Sequence, residues 1–220
     1  MSSRTCLISA AEPSGDHLAA GILKEVSARH PQLSWVGCQG PAMAAVRGIE
    51  FQAAAQVSQL SAAGLLELLP RLPALFAARR GLQDLLRASP ELAIFVDAPD
   101  FHLPLAARAR DHGIPTVVVV PPQWWAWRPG RLAAMHRYAD LVLCLFDFEV
   151  NPLRARGVAA HWIGHPAADL LTRVRPPLSG ETGSLRIALL PGSRPSEVQR
   201  YLQPMVVGVR TALKQVGRSA

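Results

Sequence analysis

The chain has 220 residues, half of them hydrophobic, which suffices for a core of one domain or one and a half and excludes general disorder. Lys and Arg number 23 against 16 Asp and Glu, and Lys24 and Lys214 are the only lysines, so the surface charge is guanidinium and favours phosphate-bearing partners. No nucleic-acid motif or basic cluster accompanies that charge, no signal-peptide pattern opens the sequence, and no apolar run reaches the roughly 20 residues of a spanning helix, so a cytoplasmic protein that binds no nucleic acid is expected.

In chain order, the first apolar β-rich run is Thr5–Ile8, followed by helical spacing over Leu18–Ala28 and a strand at Trp35–Gly37. Helical spacing returns from Leu65 to Leu86, with Pro70 and Pro73 placed to kink or break it. Then come a strand at Ala93–Val96, a helix over Leu103–Asp111, a strand at Thr116–Val120, a helix over Arg131–Tyr138 and a strand at Leu141–Cys144. Runs apolar on both faces are buried parallel strands, and their alternation with helices predicts an α/β fold with a Rossmann-like doubly wound sheet. Cys6, Cys38 and Cys144 sit in apolar runs, as buried thiols in a reducing cytoplasm do.

Residues 172–184 mix Pro, Gly and Ser without an apolar period and read as a linker. Beyond them lie a strand at Ile187–Leu190, a turn and a helix ending near Lys214, too little to close a core alone. The expected organisation is a Rossmann-like domain over 1–171, the linker over 172–184, and the first βα unit of a truncated second domain over 185–220.

Parallel sheets gather ligands at the carboxyl ends of their strands. After the first strand, Ser9 to His17 places Glu12, Ser14, Gly15 and Asp16 at a helix start, as a sugar or phosphate cradle or, alternatively, as a helix cap (Ser14 or Asp16) with a tight turn at Gly15. Asp97 leaves the 93–96 strand as a candidate general base, with Pro99 fixing the turn and Asp100 capping the next helix. The run Pro121 to Arg128 sets Trp124, Trp125 and Trp127 beside Arg128; aromatic faces suit sugar rings and acyl chains, and a packed aromatic core is the alternative. Gly192, Ser193 and Arg194 open the last helix with backbone N–H groups and a guanidinium, a candidate diphosphate site. His165, in Gly164-His165-Pro166, reads as a hydrogen-bonded structural residue. Neither zinc-ligand spacing nor an acidic Mg²⁺ cluster stands out, so neither metal nor cofactor is expected.

In order and spacing, Ala11-Glu12-Pro13-Ser14-Gly15-Asp16, Phe95-Val96-Asp97-Ala98-Pro99-Asp100-Phe101, Trp125-Ala126-Trp127-Arg128, Gly164-His165-Pro166 and Leu190-Pro191-Gly192-Ser193-Arg194 resemble the signatures of lipid-A-disaccharide synthase. Weaker matches extend the resemblance over about residues 5–200, including Trp35-Val36-Gly37 with Gly40-Pro41 and Ala63 to Leu69. The resemblance implies the amino-terminal domain of a GT-B fold and transfer of 2,3-diacylglucosamine from its UDP derivative to 2,3-diacylglucosamine 1-phosphate on the inner-membrane surface. By it, Asp97 is the base for the acceptor's 6-hydroxyl in an inverting attack, and Arg194 lies near the donor's diphosphate. Glu12, Ser14, Gly15, Trp125, Trp127 and Arg128 fall on the acceptor side, and Gly192 and Ser193 join Arg194 on the donor side. The apolar stretch Leu60 to Leu86, interrupted by Arg71, Arg79 and Arg80, matches a family region that contacts membrane or acyl chains, an ordinary core-facing helix being the alternative.

Two departures qualify that resemblance. Pro121-Pro122-Gln123-Trp124 stands where the family has Ser-Pro-Ser-Val, and the uridine-binding carboxy-terminal half is not within these residues. A separate carboxy-terminal half or a homodimer is therefore an expected partner, and a noncatalytic binding module for acylated sugar phosphates is the alternative function.

Overall fold

A computed structural model describes residues 4–60, 72–171, 185, 187–192, 195–215 and 217. The chain divides into two compact units, one built mainly from residues up to 173 and the other mainly from residue 174 onward.

The first unit runs β1 (Arg4–Ala10), α1 (Pro13–Arg29), β2 (Leu33–Gln39), α2 (Pro41–Ala44), β3 (Glu50–Gln56), α3 (Val57–Leu60), α4 (Leu72–Arg87), β4 (Leu92–Val96) and α5 (Pro99–Asp111). It continues with β5 (Thr116–Val119), α6 (Gly130–Ala134), β6 (Leu141–Cys144), α7 (Val150–Arg154), β7 (Ala159–Trp162) and α8 (Pro166–Leu171). Its seven strands form one sheet in the order β3-β2-β1-β4-β5-β6-β7, and every neighbouring pair is parallel. This is the doubly wound order, extended by one strand, and the expected α/β Rossmann-like sheet is what forms.

The central strands are apolar on both faces because helices cover both. Leu7, Ile8, Phe95, Val96, Val119 and Val142 are buried, with Leu23 of α1, Leu82 and Leu86 of α4 and Leu105 of α5 packed over the sheet. Helix α1 packs beside α2, and α4 beside α5, the grouping expected when right-handed crossovers run outward in both directions from the switch point. The switch point lies between β1 and β4, whose ladder pairs Ala10 with Val96 at their carboxyl ends. The loops carrying Ser14 and Asp97 leave the sheet side by side there. Cys6, Cys38 and Cys144 are buried free thiols, as their apolar surroundings predict.

Strands β3 and β7 were not among the expected elements. Both are edges with one hydrogen-bonded neighbour and much exposed surface, so Glu50–Gln56 and Ala159–Trp162 lack the continuous apolar run that marks a central strand. Helix α4 starts at Leu72, with Pro73 in its first turn where the missing N–H costs little; residues 61–71, including Pro70, lie outside the described residues.

In the second unit, α9 (Pro195–Gln215) forms where a helix was expected, and none of its described residues is buried. The strand expected over Ile187–Leu190 is not formed, because a strand needs a hydrogen-bonded neighbour and none of the described residues supplies one. The linker 172–184 lies outside the described residues. Among the described residues, no helix is long and apolar enough to cross a membrane.

Candidate functional site

The β4 strand ends abruptly. Asp97 and Ala98 adopt left-handed backbone conformations, with φ of 58° and 46°, although neither is glycine. Such residues each cost about 1–3 kcal/mol and persist only where their surroundings fix them. Here the Asp97 amide still donates to the Val119 carbonyl at 2.9 Å, while the side chain turns out beyond the sheet. Its Oδ1 accepts from the Ala98 amide at 2.8 Å and its Oδ2 from the Ser14 hydroxyl at 3.0 Å. The carboxylate is thus half-buried and held on both oxygens, with the chemistry a general base requires.

Helix α1 supplies the other wall. Glu12 is its N-cap, and the Glu12 carbonyl accepts from the Asp16 amide at 2.9 Å. Neither Ser14 nor Asp16 caps this helix, which corrects the capping alternative. Ser14 reaches Asp97 instead, and Asp16 is buried and reaches α2, accepting from the amides of Gly40, Ala42 and Met43 at 2.9, 2.8 and 3.1 Å. Asp16 therefore caps a helix more than twenty residues away, and a Cβ on Gly40 would collide with its carboxyl group. Gly15 serves close packing rather than a turn. A Cβ there would stand 3.1 Å from the Val96 carbonyl oxygen and 3.2 Å from the Asp97 Cβ.

One residue of the site, His102, belongs to no motif that the sequence singles out. His102, fully buried in α5, places Nδ1 2.7 Å from the Asp97 carbonyl oxygen and Nε2 3.0 Å from the Ser9 hydroxyl. A carbonyl only accepts, so Nδ1 carries the proton, and burial lowers the ring's pKa from 6.5 to about 4 despite the Asp97 hydrogen bond and charge. The neutral ring then accepts a hydrogen bond from the Ser9 hydroxyl at Nε2. Only an unassigned histidine one turn beyond a strand-end acid could have pointed to this.

The tryptophan loop divides between core and surface. Trp124 is buried, in line with the packed-core alternative, whereas Trp125 and Trp127 are 51% and 70% exposed. Trp125 donates its indole N–H to Glu149 at 3.2 Å and meets Phe148 edge-on at 5.4 Å, and Phe148 stacks on Phe146. Burial raises the Glu149 pKa above the usual carboxylate value, opposed by its bonds from Trp125 and the Phe146 amide. Arg128 donates to Asp100 at 3.1 Å, and Arg131 pairs with the same oxygen. Asp100 is therefore no N-cap, since Ala98 holds that position; it ties the tryptophan loop to the loop of Asp97. His165 is exposed and accepts from the Ala167 amide at the start of α8 at 3.1 Å.

Ser14, Gly15 and Asp97 thus meet directly, Arg128 joins their loop through Asp100, and Trp125 is seated by Glu149. Gly192, in the second unit, has φ of 122°, and Ser193 and Arg194 lie outside the described residues.

The family model described as lipid-A-disaccharide synthetase matches residues 6–218. Curated lipid-A-disaccharide synthases from Alkalilimnicola ehrlichii and Azotobacter vinelandii are 39% and 40% identical, over 88% and 90% of this chain and 52% and 53% of their own lengths. One from Myxococcus xanthus is 37% identical, over 91% of this chain and 53% of its own. The chain spans about half the length of the curated relatives it matches. A crystal structure of Acinetobacter baumannii MurG aligns with 65% of this chain and 41% of its own at 17% identity and a TM-score of 0.35, too loose a likeness to support a conclusion.

Proposed function

Because the chain belongs to the lipid-A-disaccharide synthase family, we propose that it forms the acceptor side of an inverting, metal-independent glycosyltransferase. The reaction moves 2,3-diacylglucosamine from its UDP derivative to the 6-hydroxyl of 2,3-diacylglucosamine 1-phosphate. Asp97 takes the hydroxyl proton, the hydroxyl oxygen bonds to the donor's anomeric carbon with inversion, and the bond to UDP breaks with its electron pair going to the diphosphate. Gly192, Ser193 and Arg194 hold that diphosphate as its negative charge grows. Glu12, Ser14 and Gly15 flank the acceptor, Trp125 and Trp127 receive its ring and acyl chains, and Arg128 adds positive charge for its phosphate.

One observation carries this reading: an accessible carboxylate, braced by Ser14, at the switch point of a parallel sheet. Both substrates are acylated, so the protein works peripherally on the inner-membrane surface from the cytoplasm, with a carboxy-terminal half or a second copy supplying the remainder of the donor site.

The test combines the chain with the carboxy-terminal half of a relative, verifies assembly, and measures UDP release from donor and acceptor lipid. Turnover is expected in the assembled protein, with Asp97→Asn lowering kcat roughly 10²- to 10⁴-fold. Absence of turnover after verified assembly rejects the proposal. The Pro121 to Trp124 segment favours a second reading, a noncatalytic module that holds acylated sugar phosphate. Lipid binding unaffected by Asp97→Asn, without turnover, would establish it.

A further inference from the structure

We propose that His102 is a positioning residue for Asp97, its ring bridging the Ser9 hydroxyl and the Asp97 carbonyl so that the left-handed turn aims the carboxylate out of the sheet. The inference rests on the reading of Asp97 as the base. Its geometry is independent of that reading.

The backbone at Asp97 needs a restraint. Two consecutive non-glycine residues hold positive φ there, and an unrestrained chain would relax Asp97 toward the β or right-handed region. Rotation about that backbone would swing the carboxylate away from Ser14. The Asp97 carbonyl is held through the ring Nδ1–H of His102 at 2.7 Å, five residues along the chain. The Phe101 and His102 amides bond to the Ala98 carbonyl at 3.0 Å, so the helix begins only after the turn is made.

The ring itself cannot move freely. Phe95 and Phe101 pack against it with centroids 5.6 and 5.1 Å away, and the Ser9 hydroxyl donates to Nε2 from the floor of β1. Ser9 of β1 pairs in register with Phe95 of β4, and Asp97 directly follows β4, so the bridge is anchored to the two strands that flank the switch point. The bridge therefore converts the rigidity of β1 and β4 into a fixed direction for one side chain. A misplacement of about 1 Å in a catalytic group can cost roughly 10²-fold in rate. His102 touches no substrate in this arrangement and acts only through Asp97.

The experiment uses His102→Leu, which removes both hydrogen bonds, and His102→Asn, whose side-chain N–H can occupy the place of Nδ1–H. In the isolated chain, the Ala98 amide resonance reads the carboxylate position, because that amide donates to Asp97 Oδ1. It should shift in His102→Leu and return toward wild type in His102→Asn, with both variants folded by circular dichroism. In the assembled enzyme, His102→Leu should lower kcat roughly 10²-fold with KM unchanged, and His102→Asn should recover most of it. An unmoved Ala98 amide in His102→Leu, or equal losses of kcat in the two variants, overturns the proposal. Full activity of Asp97→Asn would instead overturn the reading of Asp97 as base and leave the amide result to judge His102 alone.

Discussion

Gly15 lies so close to Asp97 that a Cβ added to it would stand 3.2 Å from the aspartate's own Cβ and 3.1 Å from the Val96 carbonyl oxygen. The start of α1 is thereby pressed onto the end of β4, and Ser14 comes within a hydrogen bond of the carboxylate. Gly15→Ala should overpack this junction and destabilise the protein by about 1–3 kcal/mol. Urea denaturation measures it, and a wild-type midpoint would show that the junction has slack.

Asp16→Ala should be costlier, because it strips three backbone amides of α2 and its approach of their acceptor inside the fold. A loss of at least about 3 kcal/mol is expected. Gly40→Ala alone should also destabilise, since its methyl group meets the Asp16 carboxyl, yet it should add little once Asp16 is alanine. A double-mutant cycle by denaturant unfolding reads that coupling, and additive effects would refute the contact.

Acid should weaken the fold through His102. Its pKa is about 4 in the folded protein against the ordinary 6.5 of the unfolded chain, so between those limits the unfolded chain binds more protons. Stability is therefore full above pH 6.5 and falls as pH drops toward 4, by up to about 3 kcal/mol at the lower end. His102→Asn removes this contribution. Denaturation midpoints of both proteins at neutral and acid pH should diverge accordingly, and parallel curves would assign the acid sensitivity to other groups.

The three thiols should be inert in the native state. Burial pushes Cys38 and Cys144 up to about 12 and raises Cys6, which leaves almost no thiolate at neutral pH. A disulfide-exchange reagent should label none of them before unfolding and all of them in denaturant. Rapid labelling under native conditions would locate a strand that opens.

By itself the sequence determined the central strands and the loops that leave their carboxyl ends. The run Thr116–Val120 is apolar on both faces because it is covered on both faces, and Asp97 follows such a run, where a parallel sheet puts its ligands. Periodicity and strand ends are local properties, so they survive in one dimension.

Only the tertiary structure decided what meets at the sheet's carboxyl edge. Ser14 and Asp97 are 83 residues apart, and Ser9 and His102 are 93 apart, so no spacing rule joins them. Asp16 and Asp100 both looked like caps of their own helices, yet one serves a distant helix and the other two arginines, because a short carboxylate binds whichever donors the fold brings near. Edge strands β3 and β7 were unreadable for the matching reason: strand pairing is made by a neighbour, and with one neighbour each they required too little apolar surface to leave a pattern.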